Sequence, residues 1–238
     1  MHDAFSVYWW HHHGAVVVVP QGLLDARSYR RLRTTLAKVA AEEPRAVVVD
    51  VDELRPSSPV ALALFPAVRT ELATWPGLPL LLIATGAEIR RELARYHMAR
   101  YLPVHTGLDA AVAAIAAPPH RELARLVLPA GPDAPRPARA FVRAHCHRWH
   151  VTGDRATDAI LVVNELVENA VRHTTGAPGL RLELRADLLT VAFYDGDPGH
   201  PRLLDTGRVH GLTTVDRLCR TWGSTATTAG GKVVWAAL

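Results

Sequence analysis

Cysteine is scarce in this chain. Among 238 residues only Cys146 and Cys219 occur. They lie far apart and without metal-ligand spacing, which excludes a disulfide framework and a cysteine-based zinc site and fits free thiols in a reducing cytoplasm. Long apolar runs are missing too. The β-branched run from Ala15 to Val19 is far too short to span a bilayer, and no secretory signal precedes it. A soluble, cytoplasmic chain with no membrane partner is therefore expected. Charge is nearly balanced: Lys plus Arg number 27 and Asp plus Glu 23, a formal +4. With no basic run and no aromatic-interleaved patch, direct nucleic-acid binding is not expected. No Gly-x-x-x-x-Gly-Lys loop occurs, which excludes a P-loop nucleotide site. No structural metal site is expected from the histidines: His11, His12 and His13 are consecutive and alternate faces on a strand, and although His145, His147, His150 and His173 cluster in the second half, zinc needs about four convergent ligands.

What the chain has is apolar content of 49%, enough for two compact domains. In the first half, strands are predicted at Gly14 to Pro20, Ala46 to Val51 and Leu78 to Ala84. They alternate with helices at Ala26 to Glu42, Pro59 to Thr74, Ala87 to Tyr96 and Leu108 to Ala116. Asp25 is positioned as the cap of the first helix. Trp9 and Trp10 fit an N-terminal edge strand. Alternation of this kind indicates an α/β layer with helices on a sheet. Pro118 and Pro119 end it, and Pro129 to Pro137 is proline-dense and reads as linker or loop. The boundary falls near Pro119, giving domains of 1–118 and 119–238.

In the second half, Glu122 to Leu128 reads as a strand and Ala138 to Trp149 as a helix. The stretch Ala156 to Gly176 follows, with Ile160, Val163, Leu166, Val167, Ala170 and Val171 at helical spacing. Glu165 and Asn169 are four apart within it, so they stack one turn apart on one face, where both reach the same ligand. Leu180 to Leu184 and Leu188 to Tyr194 read as an antiparallel pair. The second runs into Asp195-Gly196-Asp197-Pro198-Gly199, a carboxylate at a strand end with glycines that let backbone approach a flat ligand. Gly211-Leu212 opens a helical run through Val215 and Leu218, and Lys232 to Leu238 closes the chain as a strand.

That order of boxes resembles the nucleotide-binding domain of the GHKL ATPases, specifically the small anti-sigma-factor serine kinases of actinomycetes. The resemblance is carried by Glu165-Leu-Val-Glu-Asn169-Ala170-Val171-Arg172-His173, Asp195-Gly196, Gly211-Leu212, Asp216-Arg217-Leu218, Trp222-Gly223 and Gly231-Lys232 with Val234-Trp235. It implies a Bergerat-type α/β sandwich that binds ATP and Mg²⁺. Asn169 would ligate the metal, Glu165 would activate the attacking hydroxyl, and Asp195 would bind the adenine amino group. Gly196, Gly199, Gly211 and Leu212 would line the nucleotide. Three positions depart from the family: Arg208-Val209-His210-Gly211-Leu212 lacks the first glycine of a Gly-x-Gly-Leu box, Val233 stands where Thr or Ser is expected, and Asp197 adds charge near the phosphates.

The first half resembles a STAS domain, the fold of anti-sigma-factor antagonists, through Gly22-Leu-Leu-Asp25, Val47-Val-Val-Asp50 and Ser57-Ser58. The resemblance implies that Ser58, or Ser57 beside it, accepts a phosphoryl group from a partner kinase. Here the flanking residues are Pro56 and Pro59, and Ser58 also reads as an ordinary N-cap with proline at N1. A phosphate at Ser58 would add about −2 of charge to the surface that docks there.

Together the two resemblances imply a regulator of partner switching. Its partners would be a sigma factor, a STAS-domain antagonist, its own first domain, or a second copy in a homodimer. A tether places the two domains at an effective concentration of roughly millimolar. Three readings follow: a serine/threonine protein kinase acting on an antagonist, a catalytically silent module that docks a sigma factor or antagonist, and a nucleotide-responsive sensor.

Overall fold

The computed structural model describes residues 5–115, 121–171, 178–196 and 212–238. The chain divides into two compact units, Met1–Ala117 and Pro118–Leu238. Among the described residues, no helix is long and apolar enough to cross a membrane.

The first unit contains β1 (Ser6–His12), β2 (Ala15–Leu24), α1 (Ala26–Ala41), β3 (Val47–Asp50) and β4 (Leu54–Pro56). A 3-10 helix (Pro59–Ala63) follows, then α2 (Leu64–Thr74), β5 (Leu80–Ile83), α3 (Ala87–Arg95), β6 (Val104–His105) and α4 (Leu108–Ala113). The sheet runs β1-β2-β3-β5-β6, with β4 also paired to β2. Only β1 is antiparallel to its neighbour. Period-2 alternation splits the central strands between two cores. Val16, Val18, Val47, Val49, Leu80 and Leu82 pack with Leu32 and Leu36 of α1, Phe65 of α2 and Leu93 of α3. Ala15, Ala46, Val48, Leu81 and Ile83 pack with Ala111 of α4. Strands covered on both faces read as continuous apolar runs, which is why Val-Val-Val stretches mark them.

The cap at Asp25 is present, its carboxylate accepting from the N–H groups of Arg27 and Ser28 at 2.9 and 2.8 Å. The single helix predicted over Pro59 to Thr74 is instead a 3-10 turn leading into α2. Beyond β3, Asp52 ties two loops together. Its Oδ1 accepts from the N–H groups of Thr85 at 2.7 Å and Gly86 at 2.9 Å, and its Oδ2 accepts from the Thr85 hydroxyl. Burial alone would raise the Asp52 pKa, but the donors from Gly86 and Thr85 and the nearby charge of Arg90 outweigh it and hold the group below the usual carboxylate range. A depressed folded-state pKa stabilises above the unfolded value of about 3.9 and is lost as pH falls through the folded value. Asp52→Asn is therefore expected to cost the first unit about 1–2 kcal/mol at neutral pH in urea unfolding, with the gap to wild type narrowing as pH falls through the depressed folded-state value. A gap that persists unchanged at low pH would show that the charge is not what Asp52 contributes.

The second unit contains β7 (Arg121–Val127), α5 (Pro135–Arg148), α6 (Asp154–Val171), β8 (Gly179–Arg185), β9 (Leu188–Asp195), α7 (Leu212–Leu218), β10 (Thr221–Ala226) and β11 (Lys232–Ala237). Its sheet runs β10-β11-β9-β8-β7, antiparallel throughout. Register places Leu180 opposite Phe193, Leu182 opposite Val191, Phe193 opposite Val234 and Val191 opposite Ala236. These side chains form one core with Val142 and Cys146 of α5, Val163, Leu166 and Val167 of α6 and Val215 of α7. The helices thus share one face of the sheet. Pro135 and Pro137, read as linker, lie in the first turn of α5, where a missing N–H costs nothing because that turn has no intrahelical partner for it.

Candidate functional site

In the first unit, Ser57 and Ser58 follow β4 and both are exposed. The Ser57 N–H donates to the Leu24 carbonyl at 3.0 Å, which pins the segment to the end of β2. Ser58 holds the N-cap position with Pro59 at N1, as the ordinary-cap reading expects, but its side chain makes no capping hydrogen bond. The reason is local. Its backbone is extended (φ −160°, ψ 162°), the turn that follows is 3-10, and the Ala61 N–H that a cap would take donates to the Ser58 carbonyl at 3.1 Å.

In the second unit, α6 buries Ala159, Val162, Val163, Leu166, Val167 and Ala170. Glu165 and Asn169 flank that stripe, both half-buried. A second polar stripe, which the sequence reading passed over, runs beside it. Asn164 Nδ2 donates to Glu168 Oε1 at 2.8 Å, and the Arg139 guanidinium of α5 donates to Asn164 Oδ1. The signal for it was another i, i+4 polar pair one residue out of phase. Leu212 is the first residue of α7. Further along, the Trp222 indole N–H donates to Asp216 Oδ1 at 2.9 Å, joining two of the boxes noted in sequence. The Cys219 thiol is pushed up to about 12, first by burial and then by Asp158 and Asp216, so it is no nucleophile at neutral pH. Gly199 and Gly211, with Asp197 and His173, lie outside the described residues.

Asp195 ends β9 and stands directly opposite Lys232, the first residue of β11. Alternation puts both on the face that carries Phe193 and Val234, which is the face that packs against α6. The Lys232 ammonium lies 2.9 Å from Asp195 Oδ2, and the two side chains are 7% and 2% exposed. Among the described residues a Cβ on Gly196 would meet nothing within 4 Å, whereas one on Gly231 would sit 3.1 Å from Gly196 Cα and closer still to the Asp195 carbonyl oxygen.

No protein-family model and no curated protein matches the sequence. Solved structures do. An anti-sigma factor antagonist from Mycobacterium paratuberculosis is 24% identical with a TM-score of 0.42, over 48% of this chain and 95% of that one. An RsbS variant from Moorella thermoacetica is 17% identical with a TM-score of 0.39, over 46% and 93%. The anti-sigma factor antagonist SpoIIAA in its unphosphorylated form is 14% identical with a TM-score of 0.37, again over 46% and 93%. The likeness lies in the N-terminal part of this chain.

The residues that the GHKL resemblance sets against ATP and Mg²⁺ lie, among the described residues, on α6, at the start of α7 and at the adjoining ends of β9 and β11. Glu165 and Asn169 lie one turn apart on α6 beside its buried stripe. Asp195, which the resemblance sets against an exocyclic amino group, pairs here with the Lys232 ammonium. Val233 alternates to the opposite face of β11, opposite Tyr194, so its lack of a hydroxyl has no bearing on Asp195.

Proposed function

We propose that the chain regulates partner switching by docking. The first unit offers an antagonist-like surface centred on Ser58. The second is an anti-sigma-factor-like module that holds a sigma factor or an antagonist without transferring phosphate. The observation that carries the reading is the Ser58 hydroxyl, exposed at a strand-to-helix junction and not used as a cap. Phosphate added there would change the charge of the docking face by about −2 while leaving the fold's own hydrogen bonds intact. Pairwise binding against a panel of sigma factors and anti-sigma serine kinases tests it. At least one micromolar complex is expected, weakened at least tenfold by Ser58→Glu and little changed by Ser58→Ala. A panel in which no member binds, or in which both variants behave alike, removes the reading.

Phosphoryl transfer from ATP is the second reading, and one observation favours it: the Glu165 and Asn169 pair on α6. Transfer of label from Mg-ATP to Ser57 or Ser58 separates it from docking.

A further inference from the structure

The first unit holds a cavity that neither Ser58 nor the sheet cores account for. Its volume is about 480 Å³, and it opens between α3 and β6, the last strand of the sheet. Helical spacing sets Arg90, Leu93 and Ala94 on the α3 face that lines it. His97 then takes the left-handed region (φ 52°, ψ 34°), which ends the helix and starts a 3-10 turn, Met98–Arg100, that brings Arg100 back to the same cavity. Leu93 is buried and Val104 half-buried, and they supply apolar lining. Two guanidiniums and an imidazole thus line one space, and no carboxylate does. Among the described residues, none of the three side chains makes a hydrogen bond or an ion pair. Two carboxylates that could have taken them are engaged elsewhere. Asp52, close enough to feel the Arg90 charge, gives its oxygens to Thr85 and Gly86, and Glu92 pairs with Arg95 at 3.4 Å. The sheet edge adds a backbone donor. The Pro103 and His105 carbonyls accept from the N–H groups of Leu82 and Ala84, both at 2.9 Å, so ladder alternation turns the N–H and C=O of Val104 to the open edge.

We propose that this cavity binds a small organic anion, a phosphate or carboxylate group on an apolar body, with Arg90 and Arg100 on the anionic group and Leu93 and Val104 against the body. The guanidinium fork matches both anions, and unpartnered guanidiniums give up no internal contact to meet one. The volume falls within the roughly 300–1,000 Å³ of small-molecule sites, far more than a bare phosphate fills. The proposal stands apart from docking at Ser58 and from the second unit.

The probe is 1-naphthyl phosphate, which carries a dianion on a flat apolar body. Titration calorimetry on the full chain is expected to give a dissociation constant of about 100 μM at low salt, with 1-naphthoate within about tenfold of it. Inorganic phosphate and 1-naphthol each offer one half of the recognition and should bind at least about tenfold more weakly. Arg90→Gln with Arg100→Gln is expected to weaken the naphthyl ester by about thirtyfold, and raising the salt should weaken its binding to wild type. Ala94→Trp fills the cavity without altering its charge and should weaken the ester about as much. All three positions are exposed, and circular dichroism checks that each variant is folded. Hydrogen exchange in peptides covering residues 87–105 should slow when the ester is added to wild type, and not in the variants. No binding heat from wild type at about 5 mM ester, or binding that both variants keep, overturns the proposal. Inorganic phosphate binding as tightly as the ester overturns it too, because the arginines would then be a cationic patch with no part for the cavity.

Discussion

Asp195→Ala is expected to destabilise the second unit by about 3–5 kcal/mol. The argument starts from burial. Asp195 and Lys232 are 2% and 7% exposed and 2.9 Å apart, so removing the carboxylate takes the nearest compensating charge from an ammonium with little water around it. The size of the loss does not mean that the pair is strongly stabilising. Desolvation of two charges offsets most of their attraction, so exchanging both for apolar residues of similar volume is expected to be near neutral. Asp195→Leu combined with Lys232→Met should therefore recover most of what Asp195→Ala loses. Urea unfolding followed by hydrogen exchange in peptides from residues 179–237 would localise the effect, because a chain of two units need not unfold in one transition. A single-variant loss below about 1 kcal/mol would mean that the pair is solvated like a surface salt bridge.

The parts of the fold that could be read in advance share one property: each announces itself by a period. β2, β3 and β5 are runs of branched apolar residues covered on both faces, and α1 and α6 carry apolar stripes at helical spacing. The parts that escaped lack such a period. β10 is Thr-Trp-Gly-Ser-Thr-Ala, an edge strand that no apolar alternation marks, and it exists because Gly223 lets it lie against the Trp235 ring, 2.8 Å from where a Cβ would fall. β4 and β6 have three and two residues, too few to show alternation. At the site, the i, i+4 spacing of Glu165 and Asn169 was legible because a helix converts spacing directly into position. The partner of Asp195 was not, because it depends on which residue of a distant strand falls opposite, and a shift of one would have brought Val233 there instead.

The same register makes Gly231→Ala the second large effect. Glycine here is not required by backbone angle. It is required by proximity: an added Cβ would sit 3.2 Å from the Asp195 carbonyl carbon and nearer still to its oxygen, both of them backbone atoms with no side-chain freedom to yield. Strand β11 must move away from β9 where the Asp195 and Lys232 contact is made, so the cost combines overpacking with loosening of a buried ion pair, about 3 kcal/mol. Gly196→Ala is the internal control. It lies on the other side of the same contact, yet its Cβ would meet nothing within 4 Å among the described residues, and the change is expected to stay within about 0.5 kcal/mol. Equal losses at the two positions in urea unfolding would mean that the strand ends are not packed as described. A loss confined to Gly231 would show that backbone contact at this crossing holds Lys232 in line with Asp195.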